Sequence, residues 1–226
     1  GIKSVAITYV NSDYGLGLAD VYKAALEAYG ITVTIMASHE SDKADYSADL
    51  GVLSSAGGEV LAVIGYLDNA GGHIVEGSLD SGAFDRFVLS DGMIGDALTD
   101  RFGSDLDNSF GSMPGSIGEG FQIFKSVAEA GGINASVYVG ESYDAAALIV
   151  LAMQAGESSN KGSIAENIMS VANAPGEKIM AGEIAKGLKL LASGKEIDYQ
   201  GATDVIFTDV GEAEGAFIEK GISGGK

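Results

Sequence analysis

The sequence has 226 residues, 46% of them hydrophobic, which is enough to bury a sizeable core in one domain or two. Its 32 acidic and 13 basic residues give a formal net charge of −19, which repels phosphates and anionic lipid headgroups and disfavours nucleic-acid and membrane-surface partners. Cysteine is absent, so disulfides and thiolate metal sites are excluded. No apolar run approaches the roughly 20 residues of a transmembrane helix, and the start at Gly1 predicts a processed or cut chain without a signal peptide.

Four short runs of β-forming residues predict strands at 4–10, 31–37, 60–64 and 87–89. The runs start about 27 residues apart, the length of one strand plus one crossover helix. Helical patterns fill the gaps, and in the first of them Leu18, Val21, Tyr22, Ala25 and Leu26 predict the buried face. Because the strands are almost continuously apolar, we expect an α/β fold, a three-layer α/β/α parallel sheet covered on both faces.

The alternation of predicted strands and helices ends after residue 112. Four helices are predicted at 118–130, 143–154, 163–172 and 181–192, with one weak strand candidate at 135–139. This additional helical segment has no sheet of its own to cover its apolar faces. The stretch 201–222 returns to β character and predicts a hairpin or a pair of edge strands.

Polar and aromatic residues follow the predicted strands, where ligands bind in open parallel sheets. Tyr14 follows the first strand, Tyr66 the third, and Ser90 and Asp91 the fourth. A carboxylate beside tyrosine faces suits an ammonium group or a small cation. The alternatives are structural: aspartates such as Asp13 can cap helices, and the tyrosines can roof the sheet.

The stretch "TYVNSDYGLGLAD" also permits a nucleotide interpretation. Gly15 and Gly17 resemble the start of a dinucleotide fingerprint, but Asp20 stands in place of the third glycine. Glu40 could act as the ribose-binding acid, so this alternative stays open.

Catalytic and metal-binding patterns are not found. The two histidines, His39 and His73, have neither a nucleophile motif to serve nor metal-ligand spacing, and are interpreted as ordinary loop or helix residues. The sequence therefore predicts no catalytic residue, no metal site and no cofactor.

Five stretches, in order, resemble the periplasmic solute-binding proteins of branched-chain amino acid ABC transporters, the Leu/Ile/Val-binding type. They read "VAITYVNSDYGLGLADVYKAALEAYGITV", "DYSADLGVLSSAGGEVLAVIGY", "FVLSDGMIGDAL", "ESYDAAALIVLAMQAG" and "GATDVIFTDVGEAEGAFI". The resemblance implies a type I fold in which two α/β lobes, joined by three crossovers, trap an amino acid. It also implies amino-acid transport in the periplasm with a membrane permease as partner, and no enzymatic activity.

The family's N-terminal third has no counterpart in this sequence, so the resemblance implies a truncated chain. Residues 1–112 then correspond to the second-lobe α/β domain, 113–200 to the helical return through the first lobe, and 201–226 to C-terminal strands rejoining the second lobe. Helices without their sheet expose apolar surface, which predicts self-association.

The resemblance also assigns ligand-binding residues. Tyr14 in "DYGLGL" and Tyr66 in "IGY" match aromatic contacts to the bound amino acid, and Asp91 in "LSDG" matches an acidic residue, often Glu, that pairs with the ligand's ammonium group. The ligand itself stays open, because the same scaffold serves sensors of amides, aromatic acids or urea. A Rossmann-like nucleotide-binding enzyme is the remaining alternative.

Overall fold

The computed structural model describes all residues from Gly1 to Lys226 and divides them into two compact units. The first unit holds Gly1–Met113 and Glu219–Lys226, and the second holds Pro114–Ile218. None of the helices combines the length and the apolar character needed to cross a membrane.

Strands and helices alternate through the first unit, as the spacing of the apolar runs predicts. In chain order they are β1 (Ser4–Val10), α1 (Asp13–Ala28), β2 (Thr32–His39), α2 (Ser47–Ala56), β3 (Val60–Ile64), α3 (Ala70–Ser81), β4 (Phe87–Leu89), α4 (Asp96–Phe102) and β5 (Phe110–Pro114).

The second unit is mainly helical but contains short strands. Its elements are α5 (Glu119–Ala130), α6 (Val139–Ala155), α7 (Lys161–Ala172), β6 (Glu177–Met180), α8 (Ile184–Ala192), β7 (Ile197–Gly201), β8 (Ile206–Phe207) and β9 (Ala213–Glu214). The last strand, β10 (Phe217–Gly221), lies at the second boundary between the units and joins the sheet of the first.

The central sheet has six strands in the order β10-β5-β4-β3-β1-β2. The pairs β2/β1, β1/β3, β3/β4 and β4/β5 are all parallel. Alternate residues of β3 serve two separate cores: Val60, Ala62 and Ile64 pack towards α1, whereas Leu61 and Val63 pack towards the other helices. The predicted three-layer α/β/α parallel sheet is therefore confirmed.

The buried face of α1 agrees with the prediction at Tyr22 and Leu26, which pack on the core, and differs from it elsewhere. Gly15 and Ala19 are the buried residues of this helix, whereas Leu18 is 36% exposed and Val21 is 69% exposed. The face of α1 that carries Gly15 and Ala19 packs closely on the sheet. A β-carbon at Gly15 would overlap the carbonyl oxygen of Val10, so any larger residue there would push the helix away. The apolar pattern misleads because α1 carries apolar residues on both faces.

The second unit has strands where none were predicted. β6 and β7 form a two-stranded parallel sheet that packs with α6, α7 and α8 in one core. The prediction of a segment without strands over 113–200 is thus wrong. The weak candidate at 135–139 is also wrong, because Val139 begins α6 and the residues before it form a turn. Four- and five-residue strands carry too little periodicity to separate them from loops.

The C-terminal segment is divided between the units. β8 and β9 pair antiparallel, as a hairpin should, and both lie in the second unit. Only Glu219–Lys226 belongs to the first unit, so the prediction that all of 201–226 rejoins it is wrong for 201–218.

Candidate functional site

Tyr14, Tyr66 and Asp91 lie together at the carboxyl end of the central sheet. Tyr14 stands in the first turn of α1, Tyr66 lies in the loop after β3, and Asp91 begins a short 3-10 turn after β4. Parallel strands end at the same edge, so three loops that are distant in sequence deliver their side chains to one place. All three residues belong to the first unit.

The contacts among the three residues are direct. The Tyr14 hydroxyl donates to Oδ1 of Asp91 at 2.7 Å. The rings of Tyr14 and Tyr66 stack, with centroids 5.5 Å apart and an interplanar angle of 28°. Tyr66 is 45% exposed, so this aromatic pair borders solvent. The group therefore offers a negative charge next to an aromatic surface, a combination that attracts cations.

Glycines allow the loops to approach one another. A β-carbon on Gly92 would overlap the carbonyl oxygen of Gly65 and come within 2.9 Å of Cδ1 of Tyr66. The Leu67 amide also donates to the Gly92 carbonyl at 3.1 Å. The loop that carries Tyr66 is thus fastened to the turn that carries Asp91.

The start of α1 holds Tyr14 in place. Ser12 caps the helix, with its side chain accepting a hydrogen bond from the Gly15 amide at 3.2 Å. The structural alternative that Asp13 caps this helix is therefore wrong, since Asp13 lies in the first turn. Burial raises the pKa of the Tyr14 hydroxyl, and Asp91 raises it further, so Tyr14 stays a neutral donor at physiological pH.

His39 lies just behind this site and is not an ordinary loop residue. It ends β2 and is 1% exposed, and Nδ1 shares a 2.9 Å hydrogen bond with the Thr8 hydroxyl. Nε2 is buried with no hydrogen-bond partner and faces Gly65, where an added β-carbon would lie 3.3 Å away. Burial lowers the pKa of His39 to about 4, with a further lowering by Lys43 that Asp49 and Glu40 oppose.

This buried imidazole predicts a specific pH dependence of stability. Its folded pKa of about 4 lies below the ordinary value near 6.5, so the unfolded chain takes up a proton first as the pH falls. His39 therefore contributes stability that is complete above pH 6.5 and lost between pH 6.5 and 4, about 3 kcal/mol in all. Urea unfolding across this range should show a shallower pH slope for His39→Gln than for the unchanged chain.

The matched control is His73, whose side chain is 58% exposed. His73→Gln controls for the loss of an imidazole at the surface, and the carboxylates that titrate over the same range contribute equally to all three proteins. Equal slopes for His39→Gln and the unchanged chain would contradict the assignment.

The structure adds Ser90 to the site. Its hydroxyl accepts from the Gly65 amide at 3.2 Å and lies 3.3 Å from the Tyr14 hydroxyl. The sequence places Ser90 at the end of β4, but the partners are 25 and 76 residues away, so no local pattern indicates them. No group of three or more His, Asp or Glu side chains is arranged to hold a metal ion.

Comparison with solved structures defines the class of fold. A leucine-binding protein from Thermotoga maritima aligns with a TM-score of 0.72 and 19% identity over all of this chain and 59% of its own. An ABC transporter solute-binding protein from R. palustris, solved in complex with benzoate, aligns with a TM-score of 0.68 and 11% identity over all of this chain and 57% of its own. The fold is that of the type I periplasmic binding proteins.

Sequence comparison finds relatives that are named as homologs of Leu/Ile/Val-binding protein. Leu/Ile/Val-binding protein homolog 1 of Brucella melitensis biotype 1 is 27% identical over 165 residues, 72% of this chain and 44% of the relative. Homolog 3 from the same organism is 37% identical over 87 residues, 38% of this chain and 23% of the relative. No family model matches the chain. The predicted resemblance to Leu/Ile/Val-binding proteins is confirmed, and the chain spans less than half the length of these relatives.

Proposed function

We propose that the chain is part of the extracytoplasmic solute-binding component of an ABC transporter, and that it binds a branched-chain or related amino acid without chemical conversion. The observation that carries the proposal is the contact of Asp91 with Tyr14, beside Tyr66, at the carboxyl end of a parallel sheet. The kinship with Leu/Ile/Val-binding proteins supports the class of ligand.

In the proposed mode of binding, Asp91 pairs with the ligand's ammonium group. Its carboxylate is anchored on one oxygen by the Tyr14 hydroxyl, which limits the rotamers open to the aspartate before the ligand arrives. The half-exposed ring of Tyr66 supplies apolar contact area to the ligand's carbon atoms. Aspartate is one methylene shorter than the glutamate frequent in the family, so the ammonium must approach closely or through one water.

The biological setting belongs to the same proposal. We propose a periplasmic location, a membrane permease as partner, and no role for nucleic acid, the last consistent with the charge of −19. The first unit would correspond to the family's second lobe. We also propose self-association through exposed apolar residues of the second unit, among them Ile117 at 82% exposure and Ile133 at 56%.

The test is calorimetry with a panel of amino acids, on the 226-residue chain and on the complete product of the gene that encodes it. We expect Asp91→Asn to weaken amino-acid binding roughly 10- to 100-fold, because a hydrogen bond to a charged group contributes about 1.5–3 kcal/mol. Asp13→Asn is the matched control, since it removes an equal charge from an exposed position next to Tyr14. Unchanged affinity in Asp91→Asn would refute the pairing with ammonium.

A second candidate ligand is an aromatic acid, which the benzoate complex of the R. palustris protein favours. Such a ligand carries a carboxylate and no ammonium, so Asp91 would repel it. Benzoate therefore belongs in the same panel. Binding of benzoate that strengthens in Asp91→Asn, with no binding of any amino acid, would replace the first proposal with this one.

A further inference from the structure

Ser90 stands at the junction of the three loops that form the candidate site. Its Oγ accepts a hydrogen bond from the Gly65 amide at 3.2 Å, on the loop after β3. The same atom lies 3.3 Å from the hydroxyl of Tyr14 in α1 and 3.4 Å from the Gly65 carbonyl oxygen. Asp91 is the next residue along the chain. The Ser90 hydroxyl therefore contacts both the loop after β3 and the tyrosine that binds the Asp91 carboxylate.

The distances decide which way the protons point. Tyr14 has one hydroxyl proton, and its contact with Asp91 at 2.7 Å is much shorter than its contact with Ser90 at 3.3 Å. The tyrosine proton therefore lies on the bond to Asp91. The longer contact joins the Tyr14 hydroxyl to Ser90 Oγ as a second, weaker acceptor, and the proton of Ser90 is directed at the Gly65 carbonyl oxygen at 3.4 Å.

These contacts form one chain of hydrogen bonds. The Gly65 amide and the Tyr14 hydroxyl both donate to Ser90 Oγ, and Tyr14 donates at shorter range to Asp91. Ser90 therefore fixes the Tyr14 hydroxyl from a second side and links it to the loop of Gly65. The Asp91 carboxylate is thus held by a tyrosine whose own position is restrained.

We propose that Ser90 is a positioning residue of the binding site, which holds Tyr14 against Asp91 and ties both to the loop of Tyr66. The proposal rests on the proposed role of Asp91 as the partner of an ammonium group. Ser90 acts through Tyr14 and need not touch the ligand. Its loss should therefore impair recognition of the ammonium group while leaving recognition of the rest of the ligand intact.

The experiment measures leucine binding with and without the charge of Asp91. Calorimetry is done on Ser90→Ala and Ser90→Thr, made both in the unchanged protein and in Asp91→Asn, in the 226-residue chain and in the complete gene product. We expect Ser90→Ala to weaken leucine binding roughly tenfold in the unchanged protein, because the Tyr14 hydroxyl loses one of its two partners. In Asp91→Asn the same substitution should change the affinity less than twofold, and Ser90→Thr, which keeps the hydroxyl, should bind leucine within threefold of the unchanged protein.

Ser109→Ala is the matched control for loss of stability. The Ser109 hydroxyl accepts from the Phe87 amide at 3.0 Å, so it fastens the opposite end of the same strand, β4. Ser109→Ala should lower stability without changing the affinity for leucine. An equal loss of leucine affinity on Ser90→Ala in the unchanged protein and in Asp91→Asn, or no loss in either, would overturn the proposal.

A readout that needs no ligand separates this proposal from the proposed function. If the unchanged protein binds no amino acid, the proposed function fails, and the hydrogen-bonded chain is then judged by nuclear magnetic resonance. In Ser90→Ala the Cζ resonance of Tyr14 should shift and the Gly65 amide should exchange at least about tenfold faster, since each loses a partner. Ser109→Ala should change neither signal, and an unchanged Tyr14 resonance in Ser90→Ala would exclude the chain.

Discussion

Replacing Asp144 with alanine should destabilise the second unit by about 3–5 kcal/mol. Asp144 is 3% exposed and lies on α6. Its carboxylate accepts hydrogen bonds from the Tyr199 hydroxyl at 2.8 Å, the Ala202 amide at 2.7 Å, and the amide and hydroxyl of Thr203 at 2.8 and 2.7 Å. Alanine would leave the buried Tyr199 hydroxyl and Ala202 amide without an acceptor, and each buried unpaired group costs about 1–3 kcal/mol.

The residues around Asp144 are packed too tightly to rearrange when its carboxylate is removed. Gly201 has φ +60°, and a β-carbon there would overlap Oδ1 of Asp144 and approach Cε1 of Tyr199 to 2.5 Å. Burial raises the pKa of Tyr199, and the Asp144 charge raises it further, so the phenol remains a donor over the whole accessible pH range. The carboxylate therefore fixes the turn after β7 to α6.

Urea unfolding, followed by amide exchange within α6 and β7, measures this effect. Asp198→Ala is the control, because Asp198 is also buried, at 7% exposure, but accepts only the Gln200 side-chain amide at 2.8 Å. We expect its substitution to cost about 1 kcal/mol. If Asp144→Ala cost no more than Asp198→Ala, the hydrogen bonds would not be the source of the stability.

The second large effect is expected at Gly15. A β-carbon there would overlap the Val10 carbonyl oxygen and come within 2.9 Å of Val10 Cγ1, so Gly15→Ala must displace α1 from the sheet. Overpacking of this kind costs about 1–3 kcal/mol, and the backbone contact places the expected value near 3. The shift also moves Tyr14, so binding at the site should weaken together with stability.

Gly17 is the matched control, two residues along the same helix. A β-carbon at Gly17 meets nothing within 4 Å, and alanine favours a helix interior by about 0.5–1 kcal/mol over glycine. Gly17→Ala should therefore raise the thermal midpoint of unfolding, whereas Gly15→Ala lowers it. Changes of the same sign would show that the packing of α1 is looser than the structure indicates.

Much of the central sheet could be predicted from the sequence. The bounds of β1, β3 and β4 agree with the predicted runs, because a strand buried on both faces must be apolar at nearly every position. The convergence of Tyr14 and Asp91 could also be predicted, since parallel topology alone places the residues after β1 and β4 at one edge.

Other features depend on tertiary contacts that no local pattern contains. The close approach of Gly15 to Val10 decides which face of α1 is buried, and it leaves the apolar side chains of Leu18 and Val21 exposed. Ser90 gains its partners only when three loops meet. The positions of these residues along the sequence indicate neither the buried face of α1 nor the partners of Ser90. The ligand-binding role of the site stays a prediction.

The return of β10 to the central sheet sets an order of events during synthesis. The edge of β5 is covered by a strand, Phe217–Gly221, that follows the second unit in the sequence and is therefore made after the other five strands of the sheet. Pro114–Ile218, by contrast, is one uninterrupted stretch and can complete its internal contacts as soon as it leaves the ribosome. The first unit thus completes its sheet only after the second unit has been made, and until then the edge of β5 stays open to pairing with strands of other chains.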